Sequence, residues 1–156
     1  MNLERELTRA TQLALEAGAA LRRLQCGIEA KYKAYGELVT GADIQADCII
    51  QAGLKAAFPN DAIFSEESAD SPARLSNHRV WIIDPLDSTS NFLAQGDEYT
   101  VSIGLAVGQQ AALGVVYNPR RDVLVTGYLG AGVKFNHTTP VQTTCTTDLA
   151  TAYVAV

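Results

Sequence analysis

The stretch from Trp81 to Phe92, Trp-Ile-Ile-Asp-Pro-Leu-Asp-Ser-Thr-Ser-Asn-Phe, constrains this 156-residue chain more than any other. It opens on an apolar run, shared with Val80, that suits a buried strand. Two carboxylates follow, Asp84 and Asp87, on either side of the rigid Pro85 and Leu86. A Ser-Thr pair comes next, where a helix would begin. Asp84 and Asp87 supply hard oxygens of the kind Mg²⁺ prefers, and the Leu86 carbonyl can supply another. Ser88 and Thr89 offer backbone N–H groups at a helix N-terminus, where an anion is favoured. One short turn can therefore hold a divalent cation with a phosphate group beside it.

The flanking sequence places this turn in an α+β frame. Residues 3–25 predict an amphipathic helix, with Leu3, Leu7, Ala10, Leu13, Ala14, Ala17 and Leu21 on one side and Gly27 as its stop. Residues 28–35 predict a short strand or hairpin arm. Thr40 predicts a cap for a second helix from about Gly41 to Phe58, with Ile44, Cys48, Ile49 and Leu54 on its apolar side. Ala62-Ile63-Phe64 and Val80 to Ile83 predict buried strands, joined by a polar connection from Ser68 to His78. Ser88–Gln95 predicts a short helix ending at Gly96. Strands follow at Thr100–Val107, Ala111–Tyr117, Val123–Tyr128 and Gly132–Phe135, with tight turns that require antiparallel pairing. Thr138–Thr147 is polar and Thr-rich, and a strand-like run occupies Leu149–Val156. No internal repeat or linker divides the chain, so residues 1–156 are expected to form a single domain.

Composition narrows the partners. Hydrophobic residues make up 47% and charged residues 19%, a globular balance. A net charge of −5 argues against nucleic-acid polymers and anionic membranes as partners. Cys26, Cys48 and Cys145 are far apart and odd in number, which suits a reducing, cytoplasmic setting. Cys26 and Cys48 fall on predicted apolar helix faces and read as core. His78 and His137 are isolated and read as surface residues. Asp43, Glu66-Glu67 and Asp84/Asp87 remain as three acidic clusters near the ends of buried elements. Gathering them at one point is unfavourable unless a cation neutralises the charge.

Four pieces, Leu38-Val39-Thr40-Gly41-Ala42-Asp43, Phe58-Pro59, Ser65-Glu66-Glu67-Ser68 and Trp81 to Phe92, resemble the inositol monophosphatase family in order and spacing. The resemblance covers residues 3–156 and the N-terminal half of a family member. It implies two helices packed on a mostly antiparallel sheet, the first half of the sugar-phosphatase fold. It also implies Mg²⁺-dependent, Li⁺-sensitive hydrolysis of a phosphate monoester by a cytoplasmic homodimer, with inositol 1-phosphate the expected substrate. By the same resemblance Glu66, Asp84 and the Leu86 carbonyl form a first metal site, and Asp84 with Asp87 part of a second. Glu67 and Asp43 lie around a further metal. Asp43 and Thr89 orient the attacking water, and the Ser88 and Thr89 amides cradle phosphate.

Three departures qualify the expectation. Ser88 stands where the family has glycine; it reads as a tolerated helix-start residue, since Ser caps well, with a narrowed phosphate site as the alternative. Lys31 and Lys33 both lie near the family's basic residue, and neither aligns without a shift. The family's later Trp-Asp-x-Ala motif, whose Asp completes the second metal site, is not in this sequence, so little or no turnover is expected of this chain alone. Two alternatives stay open: a 3′(2′),5′-bisphosphate nucleotidase or sugar bisphosphatase, and a catalytically incomplete metal-binding or interaction module. The second predicts an exposed sheet edge near Val154–Val156.

Overall fold

The architecture was read from a computed structural model, which describes residues 1–26, 30–32 and 38–151. It is α+β, as the sequence predicts. Helix α1 (Glu4–Leu24) carries Glu4 and Glu6 in its first turn and Arg22 and Arg23 in its last, complementing the helix dipole at both ends. The Asn2 side chain accepts the Glu4 amide at 3.0 Å, so the helix start is satisfied without a cap from Leu3. The short strands β1 (Ala30–Tyr32) and β2 (Leu38–Thr40) pair antiparallel and lead into helix α2 (Gly41–Ala57). The expected stop at Gly27 lies outside the described residues, as does most of the 28–35 segment.

A seven-stranded sheet follows in sequential order. Its strands are β3 (Ala62–Ser65), β4 (Arg79–Asp87), β5 (Thr100–Val107), β6 (Gln110–Asn118), β7 (Val123–Tyr128), β8 (Gly132–Phe135) and β9 (Thr139–Val141). Only β3 and β4 run parallel; their connection contains a 3₁₀ turn at Pro72–Ser76. Every later neighbour is antiparallel. Helix α3 (Thr89–Leu93) interrupts the path between β4 and β5. Strand β9 lies within the segment read as merely polar. The strand-like run at Leu149–Val156 begins instead as a 3₁₀ turn, Leu149–Thr151, and the rest of it is outside the described residues.

Both long helices lie on one face of the sheet and close the core. Leu13, Leu21, Ile50, Leu54, Trp81, Ile103, Leu105 and Val115 are buried there, each worth roughly 1.5–3 kcal/mol when fully removed from water. Trp81 stacks tilted on Phe58 with ring centroids 5.3 Å apart, and its indole N–H donates to Asp61 at 2.9 Å. Arg79 bridges Asp61 and Glu6, tying α1 to the sheet. The opposite face is bare among the described residues. Ile82, Val116, Val133, Phe135 and Val141 are exposed, and Gly104, Gly114 and Gly127 sit side by side in the pairing register.

The phase of α2 differs from the sequence expectation. Ile44 and Cys48 face solvent, and the buried side carries Ala42, Asp43, Ala46, Asp47, Ile50, Gly53 and Leu54. Two acids on the inward face displace the apolar phase on which the reading relied. Cys26, also read as core, is exposed.

Candidate active site

The site is assembled where β4 breaks. Asp84 pairs with Ser102 and Asp87 with Thr100, so β4 spends one residue more than β5 over the same span. Pro85 has no N–H to give the ladder and sits at this irregularity. The extra residue has a steric consequence. Residues three apart on a regular strand point to opposite faces, whereas Ser102 and Thr100, two apart on β5, point to the same one. Asp84 and Asp87, paired with them, are therefore turned to the same side.

The Leu86 peptide links two groups of side chains. Its amide donates to Asp84 Oδ1 at 3.2 Å, and its carbonyl receives Thr89 Oγ1 at 3.2 Å. Thr89 Oγ1 also lies 3.2 Å from Asp43 Oδ1, with one proton for the two acceptors. Asp43 is buried at the third position of α2, where it completes a capping box. Its Oδ2 accepts the Thr40 amide at 2.9 Å and the Thr40 hydroxyl, while Thr40 Oγ1 accepts the Ala42 amide at 3.1 Å. The cap expected at Thr40 is thus present, and it fixes the direction of Asp43.

On the other side of Leu86, Asp84 meets Glu66. The Glu66 amide donates to the Ile83 carbonyl at 3.1 Å, which sets Glu66 beside Asp84. Burial, the charges of Glu66 and Asp87 and hydrogen bonding with Glu66 push the Asp84 carboxyl up to about 7, against a weaker opposing effect of the Leu86 amide. Glu67 follows on the same turn, its amide 3.4 Å from Ser65 Oγ. Among the described residues no three His, Cys, Asp or Glu side chains already enclose a volume fit for an ion. The donors nevertheless suit a hard divalent cation: all are oxygens, and a carboxyl held so far above its ordinary range records burial and then repulsion from Glu66 and Asp87, which such a charge would offset.

Ser88 does not cap α3 as expected. It adopts a left-handed conformation, φ 72° and ψ 49°, and makes no side-chain cap bond. A left-handed residue followed by a right-handed one turns successive amides towards a common point, an arrangement that suits an anion. The C-terminal end of α3 is held by Gln25, buried beyond the end of α1. Gln25 Nε2 donates to the carbonyls of Phe92 and Gly96 at 3.2 and 2.9 Å. Lys31 stands in β1 opposite Val39, and Lys33 lies outside the described residues. His78 and His137 are exposed.

Comparison with known proteins decides the family. The inositol monophosphatase family model matches residues 2–156. The chain belongs to the inositol monophosphatase family. An inositol-1-monophosphatase from Synechocystis sp. is 38% identical over 151 residues, covering 95% of this chain and 52% of that protein. Human inositol monophosphatase 2 is 36% identical, covering 93% and 51%. The solved inositol monophosphatase of Anabaena (Nostoc) sp. PCC 7120 superposes with a TM-score of 0.80 at 33% identity, covering 94% of this chain and 52% of that one. The chain thus spans about half the length of these relatives.

Sequence reasoning missed two buried polar residues beside the site, Gln25 and Asp47. Asp47 had a usable signal: it lies four residues after Asp43, on the same helix face. Gln25 had none, because its partners are backbone carbonyls far along the chain.

Proposed function

We propose that this chain carries the metal- and phosphate-binding portion of a Mg²⁺-dependent, Li⁺-sensitive phosphomonoesterase, with inositol 1-phosphate as substrate. The observation that carries the reading is the Thr89 hydroxyl, 3.2 Å from both Asp43 Oδ1 and the Leu86 carbonyl and one peptide from Asp84. Glu66, Asp84, Asp87 and the Leu86 carbonyl would hold the cations, with Glu67 and Asp43 facing a further one. Bound there, the metal supplies Lewis-acid stabilisation of the phosphate charge and a more acidic water. The Thr89 hydroxyl, donating to Asp43, keeps a lone pair for a water proton and so aims that water. Asp43 accepts the Thr89 proton as the water gives up its own, a general-base relay. The amides of Ser88 and Thr89 face the phosphate oxygens.

Family resemblance supports a homodimer acting on a small phosphorylated polyol or sugar in one domain. The three exposed free cysteines support a reducing, cytoplasmic compartment. No helix among the described residues is long and apolar enough to cross a membrane. A bisphosphate nucleotidase or sugar bisphosphatase would use the same residues for the same step.

The test is phosphate release from inositol 1-phosphate with and without Mg²⁺, with Li⁺ and with Asp84→Asn. Release that needs Mg²⁺, falls with Li⁺ and disappears in the variant supports the reading. Release indifferent to Asp84→Asn, or a chain that binds no Mg²⁺, sinks it. Mg²⁺ binding without release favours the incomplete metal-binding module.

A further inference from the structure

Asp47 is nine-tenths buried and takes no part in the chemistry above. Its carboxylate gathers three neutral donors from two elements. Oδ1 accepts the Ser65 hydroxyl at 2.5 Å. Oδ2 accepts the Ser68 hydroxyl at 3.0 Å and Gln51 Nε2 at 2.7 Å. Ser65 and Ser68 are the two ends of the turn that carries Glu66 and Glu67, and the Ser68 amide closes that turn onto the Ser65 carbonyl at 3.3 Å. The Ser65 hydroxyl passes the restraint inward, because it also accepts the Glu67 amide at 3.4 Å. Gln51 adds a second brace, its Nε2 lying 2.6 Å from Ser68 Oγ.

We propose that Asp47 is the positioning residue of the Glu66–Glu67 turn and, through it, sets the affinity of the carboxylates for a divalent cation. This rests on the metal reading above. The argument is geometric. Glu66 and Glu67 sit on a four-residue turn that the Ser68 amide closes and the Glu66 amide ties to β4. A single carboxylate that receives both flanking hydroxyls fixes both ends of the turn relative to α2. The same helix, one turn earlier, presents Asp43 to Thr89. Asp47 therefore keeps the glutamates in register with the Thr89 side of the site, as outer partners of metal ligands commonly do.

The test uses Asp47→Asn, which keeps the shape but turns one acceptor oxygen into a donor facing donors. Hydrogen exchange of the metal-free chain reads the turn at residues 66–68, and a Mg²⁺ titration followed by thermal shift reads the site. The expected result is turn amides that exchange at least about 10-fold faster, with α1 and β5 unchanged. The Mg²⁺ concentration for half-maximal shift should rise about 10- to 100-fold, the usual range for such outer partners. Ser68→Ala, which removes one donor only, moves both readouts in the same direction by less, and carries the test if Asp47→Asn does not fold. Unchanged exchange at the turn overturns the proposal. Faster exchange with an unmoved Mg²⁺ midpoint also overturns it, since a purely structural role gives that result. A wild-type chain with no Mg²⁺ response overturns the metal reading and the proposal together, a result distinguishable from a loss confined to the variants.

Discussion

Asp84→Asn should make the metal-free protein more stable at pH 8, although it removes a proposed metal ligand. The folded protein holds the Asp84 carboxyl at about 7, against an ordinary 3.8. A folded-state value above the unfolded one means that the folded chain binds the proton more tightly. The stability this confers is complete below the ordinary value and is lost as pH rises through about 7. At pH 8 the folded state carries in full the burial of the Asp84 charge and its repulsion by Glu66 and Asp87. Were Asp84 fully buried, the difference would amount to about 4 kcal/mol at roughly 1.36 kcal/mol per pH unit. Asp84 is only half-buried, and solvent screening reduces this to about 1–2 kcal/mol. Asparagine keeps the shape without the charge, so the variant should gain that amount at pH 8 in EDTA and less than half of it at pH 5. Urea unfolding at both pH values, with EDTA and with Mg²⁺, measures it. Mg²⁺ should stabilise the wild type strongly at pH 8, weakly at pH 5, and the variant at neither. A variant no more stable than wild type at pH 8 in EDTA would refute the electrostatic reasoning.

Thr89→Ala should lose about 1 kcal/mol of stability with its hydrogen bond and abolish phosphate release in any active form, whereas Thr89→Ser should retain release; paired unfolding and activity assays separate the two effects. Ser88→Gly should raise the urea midpoint by the equivalent of about 1 kcal/mol, because a left-handed backbone strains any residue with a Cβ; an unchanged or lower midpoint would contradict that strain. Gly18→Ala should cost about 1–3 kcal/mol by thermal unfolding, since its Cβ would lie 2.6 Å from Tyr117 Cε1 and 3.0 Å from Pro119 Cβ.

The fold was readable wherever one physical rule acted alone. The period of α1, the Thr40 cap and the hairpin turns of β5 to β8 are local signals, and each element fell within a residue or two of its expected place. The apolar phase of α2 was misread because Asp43 and Asp47 occupy its inward face, where Ile44 and Cys48 were expected. Asp43, Thr89 and Asp84 were readable as acids and a hydroxyl beside a proline turn. That they meet through a single peptide was not, because the β4 irregularity that turns Asp84 and Asp87 to one side depends on pairing with β5. Strand β9 escaped because its residues are polar or exposed and carry no burial signal.

The two oxygens of Asp43 explain how an acid at the start of a helix can also serve the proposed site. Oδ2 is engaged by the Thr40 amide and hydroxyl, a cap of the kind worth about 1 kcal/mol to a helix. A carboxylate held by one oxygen in this way loses its freedom to rotate, and this directs Oδ1 towards Thr89. The helix therefore contributes the rigidity, and the site takes the oxygen that the cap leaves over. Asp47 repeats the device one turn later, with its two oxygens turned to the glutamate turn. On the proposed reading, a single helix face thus sets the relative position of the Thr89 hydroxyl and of the carboxylates that would bind metal. The misread phase of α2 and the organisation of the site have the same cause, because the inward face that burial would assign to apolar side chains is held by these two acids.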